Sequence, residues 1–171
     1  MKVKRIQPQP ESKKQIVVKN MNADGRGGAP RGHTTQTLIF DSKGRLYISV
    51  GSNDNVDPDS IRSRIRRFDF SKEDDIPDGG YDFMNEGELF ADGLRNEVGL
   101  AFDFPRQEGN QEEWEEILWG VENGADNLRR RDLGGDIHND NPAEELNRFP
   151  TSLTTATATA ATTTTTKRNL M

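Results

Sequence analysis

The chain has 171 residues, enough for one ordinary domain, but only 31% are hydrophobic and 30% are charged. With a mean hydropathy of −0.89 it sits between a self-sufficient globular domain and a partly disordered one. A net charge of −6 argues against non-specific binding to DNA or RNA, and the absence of cysteine excludes disulfides, thiolate metal sites and cysteine nucleophiles.

The short basic clusters at 62–67 and 129–131 are flanked by acids and read as solvated surface. No apolar run approaches the length of a membrane-spanning helix, so no membrane partner is expected. The first eight residues are basic but lack the apolar stretch of a signal peptide, so no export route is visible in the chain as written.

Residues 1–32 read as an extended lead-in. Pro8 and Pro10 discourage helix, residues 15–19 form one short strand, and a Gly-rich run up to Gly32 ends it. From His33 the texture changes. Thr37-Leu-Ile-Phe40, the turn Asp41-Ser-Lys-Gly44 and Arg45-Leu-Tyr-Ile-Ser-Val50 predict a hairpin, with Gly44 supplying a positive φ and Gly51 breaking the second strand. Ile65-Arg-Arg-Phe-Asp-Phe70 alternates apolar and charged residues as a strand with one wet face does. An acidic loop over 72–80 precedes a short strand at Glu88-Leu-Phe-Ala91. Val98-Gly-Leu-Ala-Phe-Asp103 and Glu116-Ile-Leu-Trp-Gly-Val121 make a second strand pair across a long acidic connection. Residues 123–147, rich in Asn and Asp, read as one large loop. Residues 151–166, almost all Thr and Ala, lack the large apolar side chains needed to bury a face and read as disordered low complexity.

Short strands between Gly-marked turns predict an antiparallel, all-β architecture. The units starting at Thr37 and Val98 are spaced as successive blades with long insertions, since blades commonly take roughly 40–50 residues each.

Four runs in order carry a resemblance: Gly32-His-Thr-Thr-Gln-Thr-Leu-Ile-Phe-Asp41 with Gly44-Arg-Leu-Tyr-Ile-Ser-Val-Gly-Ser52; Glu88-Leu-Phe-Ala-Asp-Gly-Leu-Arg-Asn-Glu-Val-Gly-Leu-Ala-Phe102; Leu118-Trp-Gly-Val-Glu-Asn-Gly-Ala-Asp126; and Asn141-Pro-Ala-Glu-Glu-Leu-Asn147. Together they resemble the soluble quinoprotein glucose/sorbosone dehydrogenases, nearest to the fungal-type pyranose dehydrogenases. The resemblance implies a six-bladed β-propeller that holds pyrroloquinoline quinone (PQQ) and calcium at the mouth of its channel and oxidises a sugar. His33 then falls on the general base, a role suited to an imidazole that accepts a proton near neutral pH. Arg95 falls on the arginine that stabilises negative charge on the quinone, and Asn96 on a neighbouring cofactor contact. Gly124 and Ala125 fall where backbone carbonyls bind calcium, a hard cation that takes oxygen ligands. A haem protein or domain is the implied electron acceptor, and a secreted location is implied for the full-length family.

The resemblance divides the chain into a lead-in (1–32), a partial propeller of two to three blades (33–149) and a Thr/Ala-rich tail (150–171), a piece of a six-bladed ring. Two rival readings stand beside the dehydrogenase: a non-catalytic fragment or protein-binding module of the same fold, and a calcium-dependent lactonase-type propeller. Outside the resemblance, His33 reads as an ordinary hydrogen-bonded residue and Arg95 as an arginine that pairs with Asp92 or Glu97. The acids Asp126, Asp136, Asp140, Glu144 and Glu145 match no EF-hand and read as solvated loop, with His138 exposed and Trp119 in the core.

Overall fold

A computed structural model describes residues 14–21, 31–59, 62–70, 76–103, 116–138 and 144–151. The Thr/Ala tail beyond 151, the first thirteen residues and the connection over 104–115 with Trp114 lie outside the described residues. Two antiparallel sheets dominate. In the first, β2 (Leu38–Phe40), β3 (Arg45–Val50), β4 (Arg64–Asp69) and β6 (Glu88–Asp92) pair in the order β2-β3-β4-β6. In the second, β7 (Glu97–Asp103) and β8 (Ile117–Glu122) are joined by β11 (Glu145–Pro150) in the order β11-β8-β7. Short pairs complete the set: β1 (Val18–Lys19) runs parallel to β5 (Tyr81–Asp82), and β9 (Arg129–Arg130) pairs with β10 (Gly135–Asp136). Among the described residues no helix is long and apolar enough to cross a membrane.

The β2–β3 hairpin follows from its turn chemistry. Asp41 Oδ1 accepts the Lys43 and Arg45 amides at 3.0 and 2.8 Å, and Gly44 adopts φ 80°. The buried Asp41 carboxylate is charge-balanced by Arg45 Nε at 2.5 Å and accepts the Tyr47 hydroxyl at 3.3 Å. β3 is buried on both faces, which is why it reads as a nearly continuous apolar run. Its Leu46, Ile48 and Val50 pack with Phe68 and Phe83 under the β1–β5 side. On the opposite face Tyr47 joins Ile65, Phe90, Ala91, Leu118 and Phe149, so one apolar cluster draws on both sheets. Burial of this kind stabilises by about 25 cal/mol per Å² of apolar surface removed from water.

Each sheet is an antiparallel meander of the kind that forms a propeller blade, one with four strands and one with three. The Thr37 hydroxyl, just before β2, donates to the Val98 carbonyl of β7 at 3.0 Å, so the first strands of the two sheets lie side by side. Among the described residues the sheets do not close on themselves. The fold is all-β and partial, as the sequence predicts.

Three sequence expectations are corrected. Residues 123–147 are not one loop: they contain β9, β10 and the start of β11. β11 escapes notice because its inward residues are Asn147 and Phe149 while Leu146 points to solvent, so the apolar alternation is scrambled. The basic cluster 62–67 is not all solvated surface. Arg64 and Arg67 are buried, and Arg67 stacks over Tyr47 and Phe90 while donating to the Thr151 carbonyl at 3.1 Å and pairing with Glu88. His138 is exposed as expected, with Nδ1 accepting the Asn127 amide at 3.1 Å, and Trp119 is half-buried rather than core.

Candidate functional site

Four segments meet at one end of the two sheets: the residues before β2, those after β3, those just before β7, and those just after β8. Backbone hydrogen bonds lace them together. The His33 amide donates to the Ser52 carbonyl at 3.3 Å, Ser52 to the Arg95 carbonyl at 2.8 Å, and Asn123 to the Asn96 carbonyl at 3.0 Å. Residues far apart in sequence thus share one locus because the strands that carry them end there. An open depression lined by Arg45, Arg67 and Tyr81 lies at the other end of the first sheet, away from these groups.

His33 is half-buried, with Nδ1 2.8 Å from Ser52 Oγ and 3.1 Å from the Ser52 carbonyl. Ser52 Oγ donates its single proton to the Asp54 carbonyl at 2.7 Å. Toward the imidazole both Ser52 oxygens therefore accept, so Nδ1 carries the ring proton and Nε2 of the neutral ring keeps its lone pair. Gly51 is what allows this packing. A β-carbon there would fall 2.5 Å from Asn96 Oδ1 and 2.7 Å from His33 Cβ.

Arg95 is largely buried, and its guanidinium ties the surrounding loops. Nε donates to the Asn55 carbonyl at 3.3 Å, Nη1 to the Asn123 carbonyl at 3.0 Å, and Nη2 to Asn55 Oδ1 at 3.0 Å and Asp126 Oδ2 at 3.2 Å. Its ion-pair partner is Asp126, not the adjacent Asp92 or Glu97. Asn55 in turn holds Asp126 on both sides, accepting its amide and donating to its carbonyl, each at 2.7 Å. Gly124 and Ala125 lie within this clamped turn, both half-buried. Asn96 is 3% exposed, and its Oδ1 has no hydrogen-bond partner among the described residues.

Behind the site lies a group that motif reading passes over. Glu97 and Glu122 are register partners at the ends of β7 and β8, both buried. Asn147 Nδ2 donates to Glu97 Oε1 at 2.7 Å and to Glu122 Oε2 at 2.9 Å, while Glu122 Oε1 accepts the Arg95 amide. Burial, with Glu122 and Glu145 nearby, raises the Glu97 carboxyl to about 7 despite its bond from Asn147. The sequence signal for Glu97 and Glu122 is their position: each directly adjoins a residue of the site, Asn96 or Asn123. Ser52 and Asn55 are marked only by following β3.

A family model described as TrAA12-like matches residues 5–164. The chain belongs to the TrAA12-like family. The match reaches into both the lead-in and the tail, beyond the 33–149 on which the motifs lie. This TrAA12-like chain is 35% identical over 145 residues to a pyrroloquinoline quinone-dependent sugar dehydrogenase of Hypocrea jecorina (strain QM6a), a match that covers 81% of the chain and 29% of that relative. The TrAA12-like chain therefore spans less than a third of the relative's length. No solved structure matches it. The resemblance drawn from the motifs is borne out at the level of the family.

The donor set of the TrAA12-like chain fits an anionic quinone held beside a hard cation. It offers an imidazole, a fixed guanidinium and a carbonyl-bearing turn at Gly124 and Ala125. Among the described residues no group of three His, Cys, Asp or Glu side chains could hold a metal ion. Calcium, if held here, would rest chiefly on backbone carbonyls.

Proposed function

We propose that the chain is part of a PQQ- and calcium-dependent sugar dehydrogenase in which His33 is the base that takes the proton from the sugar hydroxyl. The observation that carries this reading is the placement of His33 Nδ1 against two oxygens of Ser52: with Nδ1–H committed there, Nε2 is the atom that accepts the proton. PQQ, when bound, supplies a two-electron acceptor for the hydride of the sugar carbon. Arg95 and Asn96 hold its polar edge, and the Gly124 and Ala125 carbonyls hold the cation. The clamp of Arg95 by Asn55, Asn123 and Asp126 keeps the guanidinium from reorganising as charge develops beside it. A pyranose or aldose is the substrate class, and a haem protein or domain the electron acceptor. The relative's own name supports the quinone and the sugar.

The test is spectroscopic titration of the chain with PQQ in calcium, then aldose-dependent dye reduction. Saturable binding is expected, with turnover lost by at least about a hundredfold in His33→Ala while binding persists. Equal turnover in wild type and His33→Ala rejects His33 as the base. Absence of saturable binding rejects the quinone reading for this chain.

A further inference from the structure

Glu97 and Glu122 face one another across the β7–β8 pair, 2% and 8% exposed, and both take a proton of the same Asn147 amide nitrogen. The two carboxyl groups are therefore within two hydrogen-bond lengths of each other. Among the described residues neither has an Arg, Lys or His side chain at ion-pair distance. Two adjacent buried anions without a cation repel strongly at low dielectric, so one of them is kept neutral. The hydrogen bonds say which. Glu122 accepts a hydrogen bond at each oxygen, from the Arg95 amide and from Asn147. Glu97 has one such bond, and its Oε2 has no partner and lies against Gly120.

We propose that Glu122 and Glu97 are positioning residues for Arg95 and Asn96, joined through Asn147 into one unit that carries a single negative charge, on Glu122. The charged Glu122 grips the Arg95 amide, which fixes the backbone from which the Arg95 guanidinium and the Asn96 amide reach into the site. Neutral Glu97 lets the two carboxyl groups sit together. The groups facing the pair are Arg95 and Asn96 ahead of β7, Asn147 and the exposed Glu145 on β11, and Ser49 on β3, whose hydroxyl donates to the Glu97 carbonyl at 3.0 Å. Burial raises the Glu97 carboxyl to about 7, so it ionises as pH passes neutrality, and repulsion then loosens the hold on Arg95. The consequence for quinone affinity rests on the function proposed above; the hold on Arg95 does not.

The test follows the Arg95 amide resonance of the ¹⁵N-labelled full chain without ligand, together with the dissociation constant of PQQ, between about pH 6 and about pH 8. In wild type the Arg95 amide shift titrates near neutrality and PQQ affinity falls roughly tenfold over the range. Both become flat in Glu97→Gln, which mimics the neutral form, and Glu122→Gln displaces the Arg95 amide at every pH. An Arg95 amide that does not titrate in wild type, or titrates equally in Glu97→Gln, overturns the proposal. Should PQQ fail to bind any of the three proteins while the Arg95 amide behaves as described, the quinone reading falls and the positioning role stands. Glu97→Gln is isosteric with the neutral form of Glu97 and cannot ionise, so it keeps the test open if Glu122→Gln does not fold.

Discussion

At Asp57 one carboxylate closes two backbone turns and an ion pair. Its Oδ2 accepts the Asn53 amide at 2.7 Å and Arg62 Nε at 2.5 Å, and its Oδ1 accepts the Asp59 amide at 3.0 Å and Arg62 Nη2 at 2.8 Å. These donors, Arg62 first, hold its carboxyl well below the ordinary range of 3.8. The unfolded chain therefore binds the proton more readily than the folded one. The contribution is complete above the ordinary carboxylate range and is lost as pH falls toward the depressed value. Asp57→Asn is expected to cost about 2 kcal/mol at neutral pH and to flatten stability in acid, read from urea melts across pH. Glu97 has the opposite sign. Its carboxyl is raised from 4.5 to about 7, so the folded chain binds the proton more tightly and stability falls as pH rises through that window. Glu97→Gln should be more stable than wild type above neutrality, by at most about 3 kcal/mol, and equal to it near pH 4 to within about 1 kcal/mol. Equal melting curves at alkaline pH would show that Glu97 pays no such penalty.

The strand that matters most to both core and site is β11. Phe149 packs against Phe90 of the first sheet, with ring centroids 6.1 Å apart, and Asn147 two residues earlier reaches Glu97 and Glu122. One strand thus joins the two sheets through Phe149 and braces the site through Asn147, both on its inward face. Phe149→Ala is expected to cost about 3–5 kcal/mol, the range for truncating a buried aromatic, and to shift the Arg95 amide resonance as well. Chemical denaturation and an NMR spectrum check both. A stability loss with an unmoved Arg95 would separate the two functions of the strand.

At the scale of the molecule, the two sheets leave their first strands at the edge. Among the described residues β2 pairs within its sheet only with β3 and β7 only with β8, and Leu38, Phe40 and Val98 stand exposed at 55%, 57% and 37%. Edge strands that carry exposed apolar side chains promote association. The chain is expected to show a scattering mass that rises with concentration, and Leu38→Lys to suppress that rise. A wild-type mass that stays at one chain over the whole concentration series would contradict this expectation.

How much of this was legible in the residues depends on how far apart the deciding partners lie. The β2–β3 hairpin is written within residues 37–50, because Asp41 and Gly44 dictate the turn and the short apolar, β-branched runs on either side dictate the strands. The β7–β8 pair is legible for the same reason, and the order of the four motifs points to the family. The sequence by itself therefore determined an all-β chain, its main hairpins and the residues His33, Arg95, Asn96, Gly124 and Ala125 as the ones to examine. Only the tertiary structure decided that Arg95 pairs with Asp126 through Asn55, that Arg67 is buried against a Thr151 carbonyl 84 positions away, and that Asn147 bridges two carboxyl groups. Those outcomes turn on polar groups whose burial is tolerable only beside a distant partner, and local pattern carries no record of which partner arrives.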